Sequence, residues 1–323
     1  MVGSSASSTE HSASGIMAIS LLSYLACHWV AYRVAGERRP LLAGLKLTHR
    51  CNLRCRSCPF WRRPRPDMSF EAAVGALDDL WRAGCRLLIV EGGEPFMWRD
   101  EDKGLEDIVR AARERGFARV GVTTNGTFPL EVSADMVWVS LDGMQAAHEA
   151  NRGPCWDRIM ANMAAYSRPR LYAQVTVNRT NWTDLPELVS FLSGRVQGLT
   201  VQFFYPYPES EDLWLPWAER RVLLEQMRAL KRQGYPLLGS DRVFRDLSDN
   251  GWRCHDWLIA NAEPHPDEPN RAQVHYGCYL KGRAQADCRR CGFSAHAELS
   301  LAYDLHPGAL WTGQQVFNLL GRA

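Results

Sequence analysis

Between residues 42 and 233 short apolar runs alternate with longer amphipathic stretches, and this alternation constrains the fold more than any other feature of the chain. Residues 42–47, 87–90, 119–123, 136–139, 171–177 and 199–204 read as strands. Residues 70–83, 105–115, 157–166, 185–192 and 217–233 read as helices, the first with Leu77, Leu80 and Trp81 on one stripe and Ser69 as its cap. Strands separated by helices join in parallel through right-handed crossovers, which predicts an α/β protein whose sheet is open or curled into a partial barrel. In either form the loops after the strand C-terminal ends carry function.

The composition sets limits on what such a chain does. Of 323 residues 46% are hydrophobic and 23% charged, which excludes a disordered, collagenous or polytopic membrane protein. Lys and Arg number 38 against 36 Asp and Glu, spread along the chain, so there is no basic face for nucleic acid. Residues 1–15 read as a disordered leader without a secretory signal, which points to a cytoplasmic, reducing compartment. Residues 16–40 hold an apolar to amphipathic helix whose uncharged run is borderline in length for a membrane span, which stays open as a reading. Ser20, Ser23 and His28 dilute it, while Tyr24, Trp29 and Tyr32 favour an interface. A helix lying on the inner face of the membrane and a helix packed over one end of the domain both fit. Residues 41–234 form the core domain, and 235–323 a loop-rich C-terminal extension in which periodicity breaks at NAEPHPDEPN.

Ten cysteines are too few for a disulfide scaffold, and their close spacing favours metal. Cys51, Cys55 and Cys58 follow the first strand as C-x3-C-x2-C. Three thiolates on one loop hold three corners of a cubane and leave the fourth iron open; zinc is the alternative, with His49 nearby. Cys254, Cys278, Cys288 and Cys291 make a second set, able to close a cubane or bind zinc. Cys27, Cys85 and Cys155 read as small buried apolar residues.

The cysteine loop and the motifs after it resemble the radical S-adenosylmethionine (SAM) superfamily over residues 42–207. The resemblance implies a partial (β/α)6 TIM-like barrel, a [4Fe–4S] cluster on Cys51, Cys55 and Cys58, and SAM bound at the strand ends. Gly92, Gly93, Glu94 and Pro95 look like the segment that holds the SAM amino group, where a carboxylate pairs with an ammonium. Thr123, Thr124, Asn125 and Gly126 are similar to the segment beside the ribose. Ser140, Asp142, His148 and Arg152 resemble the SLDG…H…R pattern of the peptide-modifying branch, in which Ser140 and Arg152 would hold the SAM carboxylate. Val177 ends the strand that relatives place against adenine. Relatives usually carry an aromatic residue before the third cysteine; here it is Ser57, with Phe60 or Trp61 as substitutes.

The C-terminal cysteine segment looks like extensions that bind an auxiliary [4Fe–4S] cluster and like the hopanoid-lipid adenosyltransferase group. The resemblance therefore implies a lipid or isoprenoid, another small molecule or a precursor peptide as substrate, and a flavodoxin or ferredoxin as electron donor. A non-catalytic iron–sulfur electron carrier or scaffold is the alternative of another class. Trp214 and Trp217, with Phe203, Phe204, Tyr205 and Tyr207, are placed to line a pocket over the barrel mouth. His255, His275, His296 and Glu298 are proton-donor or structural residues beside the second cysteine set.

Overall fold

A computed structural model describes residues 20–63, 65–168, 170–268, 270–280 and 287–321. Strands β1 (Leu42–Lys46), β2 (Leu87–Glu91), β3 (Arg119–Thr124), β4 (Met136–Ser140), β5 (Leu171–Val177) and β6 (Gly198–Phe203) lie side by side in chain order, all parallel. The helices are α1 (Leu21–Ala35), α2 (Phe70–Ala83), α3 (Leu105–Glu114), α4 (Gln145–Arg152), α5 (Trp156–Ala165), α6 (Leu185–Leu192), α7 (Trp217–Arg232), α8 (Asp241–Asp246), α9 (Ser294–Tyr303) and α10 (Pro307–Phe317). Ser69 caps α2 as expected, its hydroxyl accepting from the Ala72 amide at 3.1 Å.

The extension departs from the loop-rich expectation. Strand β7 (Ile259–Pro264) pairs in parallel with the free edge of β1, and β8 (Ala272–Tyr276) pairs antiparallel with β7. The sheet therefore has eight strands, two of them drawn from beyond residue 235. Polar Asn261 and Glu263 and the terminal Pro264 hide β7 in a sequence reading, because beyond Ile259 its apolar residues are only the small Ala260 and Ala262. Helix α4 is hidden for a similar reason: its buried residues are His148 and Asn151, not an apolar stripe.

Alternation along the strands divides the sheet's two faces. Ala43, Leu45, Leu88, Val90, Val120, Val122, Val137 and Val139 point into the main core with Leu77, Leu80, Ile108 and Ile159 of the helices. On the opposite face Met136, Trp138 and Tyr172 meet Val316 and Phe317 of α10. Arg119 fixes the end of that helix, donating to the carbonyls of Phe317, Asn318 and Gly321 at 2.7–2.8 Å. Toward the strand C-terminal ends the same face turns polar, through Lys46, Glu91, Ser140, Gln174, Asn261 and Glu263.

Helix α1 packs over the opposite end, against Leu41, Leu87, Leu258 and Ile259. Its aromatic residues face the protein: Trp29 Nε1 donates to the Tyr303 carbonyl at 2.9 Å, Tyr24 hydroxyl to that of Gly84 at 2.5 Å, and Tyr32 stacks near Trp257. The residues that suggested a membrane surface are thus spent on packing. Among the described residues no helix is long and apolar enough to cross a membrane. Residues 16–19 of the apolar stretch and the 1–15 leader lie outside the described residues.

Candidate active site

The cysteine loop is held by the loops that leave β2, β3 and β4. Gly93 and Glu94 amides donate to the carbonyls of Thr48 (2.7 Å) and Arg50 (2.9 Å), so the backbones of the two loops run side by side. A Cβ at Gly93 would stand 2.0 Å from the Arg50 carbonyl oxygen, and only glycine permits that approach. Asn151 of α4 holds the other end, accepting the Ser57 amide on its side chain (3.0 Å) and the Arg56 amide on its carbonyl (2.9 Å).

Two donors point at Cys51 sulfur: the Leu53 amide at 3.4 Å and Asn125 Nδ2 at 3.6 Å. Asn125 Nδ2 also donates to Asn52 Oδ1 at 2.8 Å, and its Oδ1 accepts from the Thr127 amide and hydroxyl. Burial pushes the Cys55 thiol up to about 12, with Cys58 and Cys51 adding to the rise, so the three sulfurs lie within electrostatic reach of one another. Loading a metal means displacing those protons. Among the described residues no three His, Cys, Asp or Glu side chains converge on a point that one ion would fill. A cubane spreads its thiolates over separate irons, and the donor set fits it: soft sulfur ligands with N–H groups aimed at sulfur.

Glu94 is fully buried, and both its oxygens are held from within: Oε1 accepts from Thr124 hydroxyl (2.8 Å) and the Phe96 amide (3.1 Å), Oε2 from the Asn125 amide (2.7 Å). Burial nevertheless pushes its carboxyl up to about 7, and among the described residues no lysine or arginine forms an ion pair with it. A buried carboxylate in this state gains most from a cation brought by a ligand.

Asp142, 1% exposed, takes the Arg152 fork through Nε at 2.6 Å and Nη2 at 3.0 Å. Burial works against both charges, but each outweighs it for the other, lowering the Asp142 pKa and raising that of Arg152. Asp142 is thereby an Arg152 partner, and Arg152 reaches electrostatically to Cys55 and Cys58. His148 Nδ1 accepts the Asp142 amide, and burial with the nearby Arg152 drops its pKa to about 4, so it is neutral. Ser140 ends β4 in register with Gln174. Val177 packs into the core, its carbonyl accepting the Phe204 amide at 2.7 Å.

A second polar group lies at the mouth between β1, β2 and β7. Lys46, 4% exposed, pairs with Glu91 at 2.7 Å under the Tyr279 ring. Glu263 Oε2 is 3.6 Å from His49 Nε2, and its Oε1 is 3.3 Å from Arg65 and 3.4 Å from His275. Phe60 stands between His49 and Tyr279, while Arg62 lies over Trp61, whose Nε1 bonds to the Cys55 carbonyl. Glu263 and Lys46 carry no sequence motif and are visible only once β7 is placed beside β1.

The four cysteines of the second set lie near one another without converging on a single point. Cys278, Cys288 and Cys291 each push the Cys254 thiol further up, to about 12 after burial, so all four lie within electrostatic reach. Asn250 Nδ2 donates to the carbonyls of Cys288 (3.3 Å), Arg289 (3.0 Å) and Cys291 (2.8 Å). Trp214 and Trp217 sit here, under Arg290 and Arg220 respectively. His255 pairs with Asp304, Glu298 accepts from Ser240, and His296 keeps two buried nitrogens without partners. Cys85 and Cys155 are buried as expected; Cys27 is instead exposed, on the outer side of α1.

Residues 45–190 match the family model described as the radical SAM superfamily. The chain is 26% identical over 223 residues to the Fe-coproporphyrin III synthase of Methanosarcina barkeri, covering 62% of this chain and 54% of that one. It is 31% identical over 173 residues to the pre-heme d1 synthase of Dinoroseobacter shibae, covering 48% and 40%. It spans about half the length of such relatives. The structure of Streptococcus suis SuiB bound to precursor peptide SuiA superposes with a TM-score of 0.61 at 16% identity, over 91% of this chain and 71% of that one. That likeness shows the partial-barrel fold. With the cysteine loop and the strand-end motifs in register on a parallel sheet, residues 45–190 form a domain of the radical SAM superfamily, whose members use a [4Fe–4S] cluster and SAM.

Proposed function

We propose that this chain is an enzyme that binds a [4Fe–4S] cluster through Cys51, Cys55 and Cys58 and SAM beside it, and acts on a substrate held over the strand C-terminal ends. When bound, the cluster and SAM supply a 5′-deoxyadenosyl radical that abstracts hydrogen from the substrate or adds to it. The observation that carries the reading is the hydrogen-bonded union of three strand-end loops around Cys51, through Gly93, Glu94 and Asn125. In it Glu94 offers a buried negative charge to the SAM ammonium, and Arg152, oriented by Asp142, presents its remaining donors to the carboxylate. Gly92 and Gly93 admit close backbone approach, and Asn125, Ser140 and Val177 line the same strand ends.

The ionic lining at β1, β2 and β7 supports a substrate with charged or strongly polar groups, met by Lys46, Glu91, Glu263 and His275. A precursor peptide is the second reading, favoured by the fold shared with SuiB. A lipid or isoprenoid substrate rests on the C-terminal similarity alone, since the α1 aromatic residues face inward. Cys254, Cys278, Cys288 and Cys291 are proposed to hold an auxiliary [4Fe–4S] cluster, with zinc as the alternative metal, and a flavodoxin or ferredoxin to supply electrons.

Anaerobic reconstitution with iron counting and a 5′-deoxyadenosine assay tests this. About eight irons in wild type and about four in the Cys51/Cys55/Cys58 triple alanine variant, with dithionite-dependent 5′-deoxyadenosine only in wild type, is the expected result. No SAM cleavage under any reductant would overturn the enzyme reading in favour of an electron carrier.

A further inference from the structure

Three arginines of the described chain are almost wholly buried or tightly held, and they differ in what balances their charge. Arg152 has Asp142, and Arg119 is wrapped in backbone carbonyls. Arg220, on α7, is 1% exposed and has neither arrangement. Its Nη2 donates to the Cys291 carbonyl and to Asn250 Oδ1, both at 3.1 Å, and its buried Nε has no partner. Its guanidinium carbon lies 4.1 Å from the Phe203 ring centroid and 4.7 Å from that of Trp217. Among the described residues no carboxylate forms an ion pair with it.

Desolvating a guanidinium costs several kcal/mol, and aromatic faces return only about 2. The account lacks an anion. The acidic groups within reach are thiols: Cys291 feels the Arg220 charge directly, and Cys254, Cys278 and Cys288 surround it. The loop that carries Cys291 is fixed in place, because the Phe203 amide donates to the Gly292 carbonyl at 2.9 Å. A Cβ at Gly292 would meet the Phe203 carbonyl oxygen at 2.4 Å.

We propose that Arg220 is the charge partner of a metal centre formed by Cys254, Cys278, Cys288 and Cys291. The proposal rests on the reading of those cysteines as metal ligands. Four metal-bound thiolates give the centre a net negative charge, and Arg220 supplies a fixed, water-excluded positive charge on its Cys291 side. In an iron–sulfur centre such a cation favours the reduced form, which carries one more negative charge, and so raises the potential. As a positioning residue it also ties the Cys291 carbonyl to α7.

The test uses the full chain with Cys51, Cys55 and Cys58 replaced by alanine, so that the C-terminal site alone takes up metal. Reconstituted protein with Arg220 intact, Arg220→Gln and Arg220→Lys is compared for iron and zinc content, one-electron potential and rate of metal loss to a chelator. With metal content equal, Arg220→Gln is expected to shift the redox equilibrium at least tenfold toward the oxidised form, 59 mV for one electron, with Arg220→Lys near the parent. If the site takes zinc, the expected reading is faster metal loss from Arg220→Gln alone. Metal bound in full by Arg220→Gln with potential and loss rate unchanged would overturn the role of Arg220. Neither metal bound by the parent would overturn the four-thiolate reading beneath it. Should Arg220→Gln not fold, Arg220→Met in the metal-free protein decides: stability at or above the parent is expected, and a large loss would mean Arg220 is needed without any metal.

Discussion

The two cysteine sets are anchored in opposite ways. Cys51, Cys55 and Cys58 stand on a loop clamped by strand-end backbone, beside the Arg152–Asp142 pair whose charges match inside the chain; Glu94 there is held by hydrogen bonds from Thr124, Phe96 and Asn125. Cys254, Cys278, Cys288 and Cys291 come from separate stretches of the extension, tied by Asn250 and by an arginine with no matching carboxylate among the described residues. The first set is a site that the fold builds before any cofactor arrives. The second is a site whose electrostatics are complete only with a bound anionic centre, so metal and folding should be more closely linked there.

The largest test of that contrast is removal of each set in turn. Alanine at Cys51, Cys55 and Cys58 should reduce 5′-deoxyadenosine formation to background while the far-ultraviolet circular dichroism and unfolding midpoint stay close to those of the parent. Alanine at the four C-terminal positions should instead lower the midpoint of the loaded protein and leave SAM cleavage measurable. Equal thermal effects from both replacements would remove the distinction.

Next in size is the internal ion pair. Asp142→Asn leaves Arg152 buried beside a neutral amide, and breaking a buried pair costs about 3–5 kcal/mol, readable from urea unfolding of metal-free protein. The comparable change in the extension, Arg220→Met in metal-free protein, should leave stability at or above the parent's, because no ion pair is broken and an uncompensated buried charge is removed. If Arg220→Met proves the more damaging of the two, the extension is assembled without metal and the comparison fails.

How much of this was legible in the sequence follows from where each signal lies. The six parallel strands, the Ser69 cap and the cysteine loop are local patterns, and a period or a spacing suffices to find them. Asn151 was overlooked although it sits beside Arg152, because a polar helix gives no apolar stripe. The place of β7 beside β1 is a long-range pairing, and with it came Glu263, whose partners His49 and His275 are more than two hundred residues apart. Arg220 and Asn250 act on backbone carbonyls, which any sequence possesses, so nothing marks them in advance.

Glu263 joins the two regions, taking His49 and Arg65 from the cysteine loop side and His275 and Tyr279 from the extension. Burial pushes its carboxyl up, but the nearby His49 ring and the charges of Lys46 and Arg65 outweigh it and hold the group at about 2. A carboxyl depressed on folding adds stability that is present above its unfolded value and lost as pH falls. From the ordinary 4.5 to about 2, that is on the order of 3 kcal/mol. Glu263→Gln should flatten the acid limb of the stability curve between those values. An acid limb as steep as wild type would mean that Glu263 does not tie the extension to the core.

The smallest expected effect isolates the Asn250 clamp. Asn250 has a backbone φ of 57°, in the left-handed region, so Asn250→Ala would mix a backbone strain of about 1 kcal/mol with loss of the side-chain donor. Asn250→Gly keeps the backbone free to adopt that conformation and removes the side chain that donates to the Cys288, Arg289 and Cys291 carbonyls and accepts from Arg220 Nη2. Weak, shared hydrogen bonds of this kind contribute about 1 kcal/mol together, so Asn250→Gly should lose metal from the C-terminal site several-fold faster. Its SAM cleavage, which depends on the strand-end loops, should match wild type. If Asn250→Gly holds metal as long as wild type, the cysteines and Arg220 position that loop unaided. If it also loses SAM cleavage, the two sites are coupled through the sheet, and their separate anchoring does not make them independent.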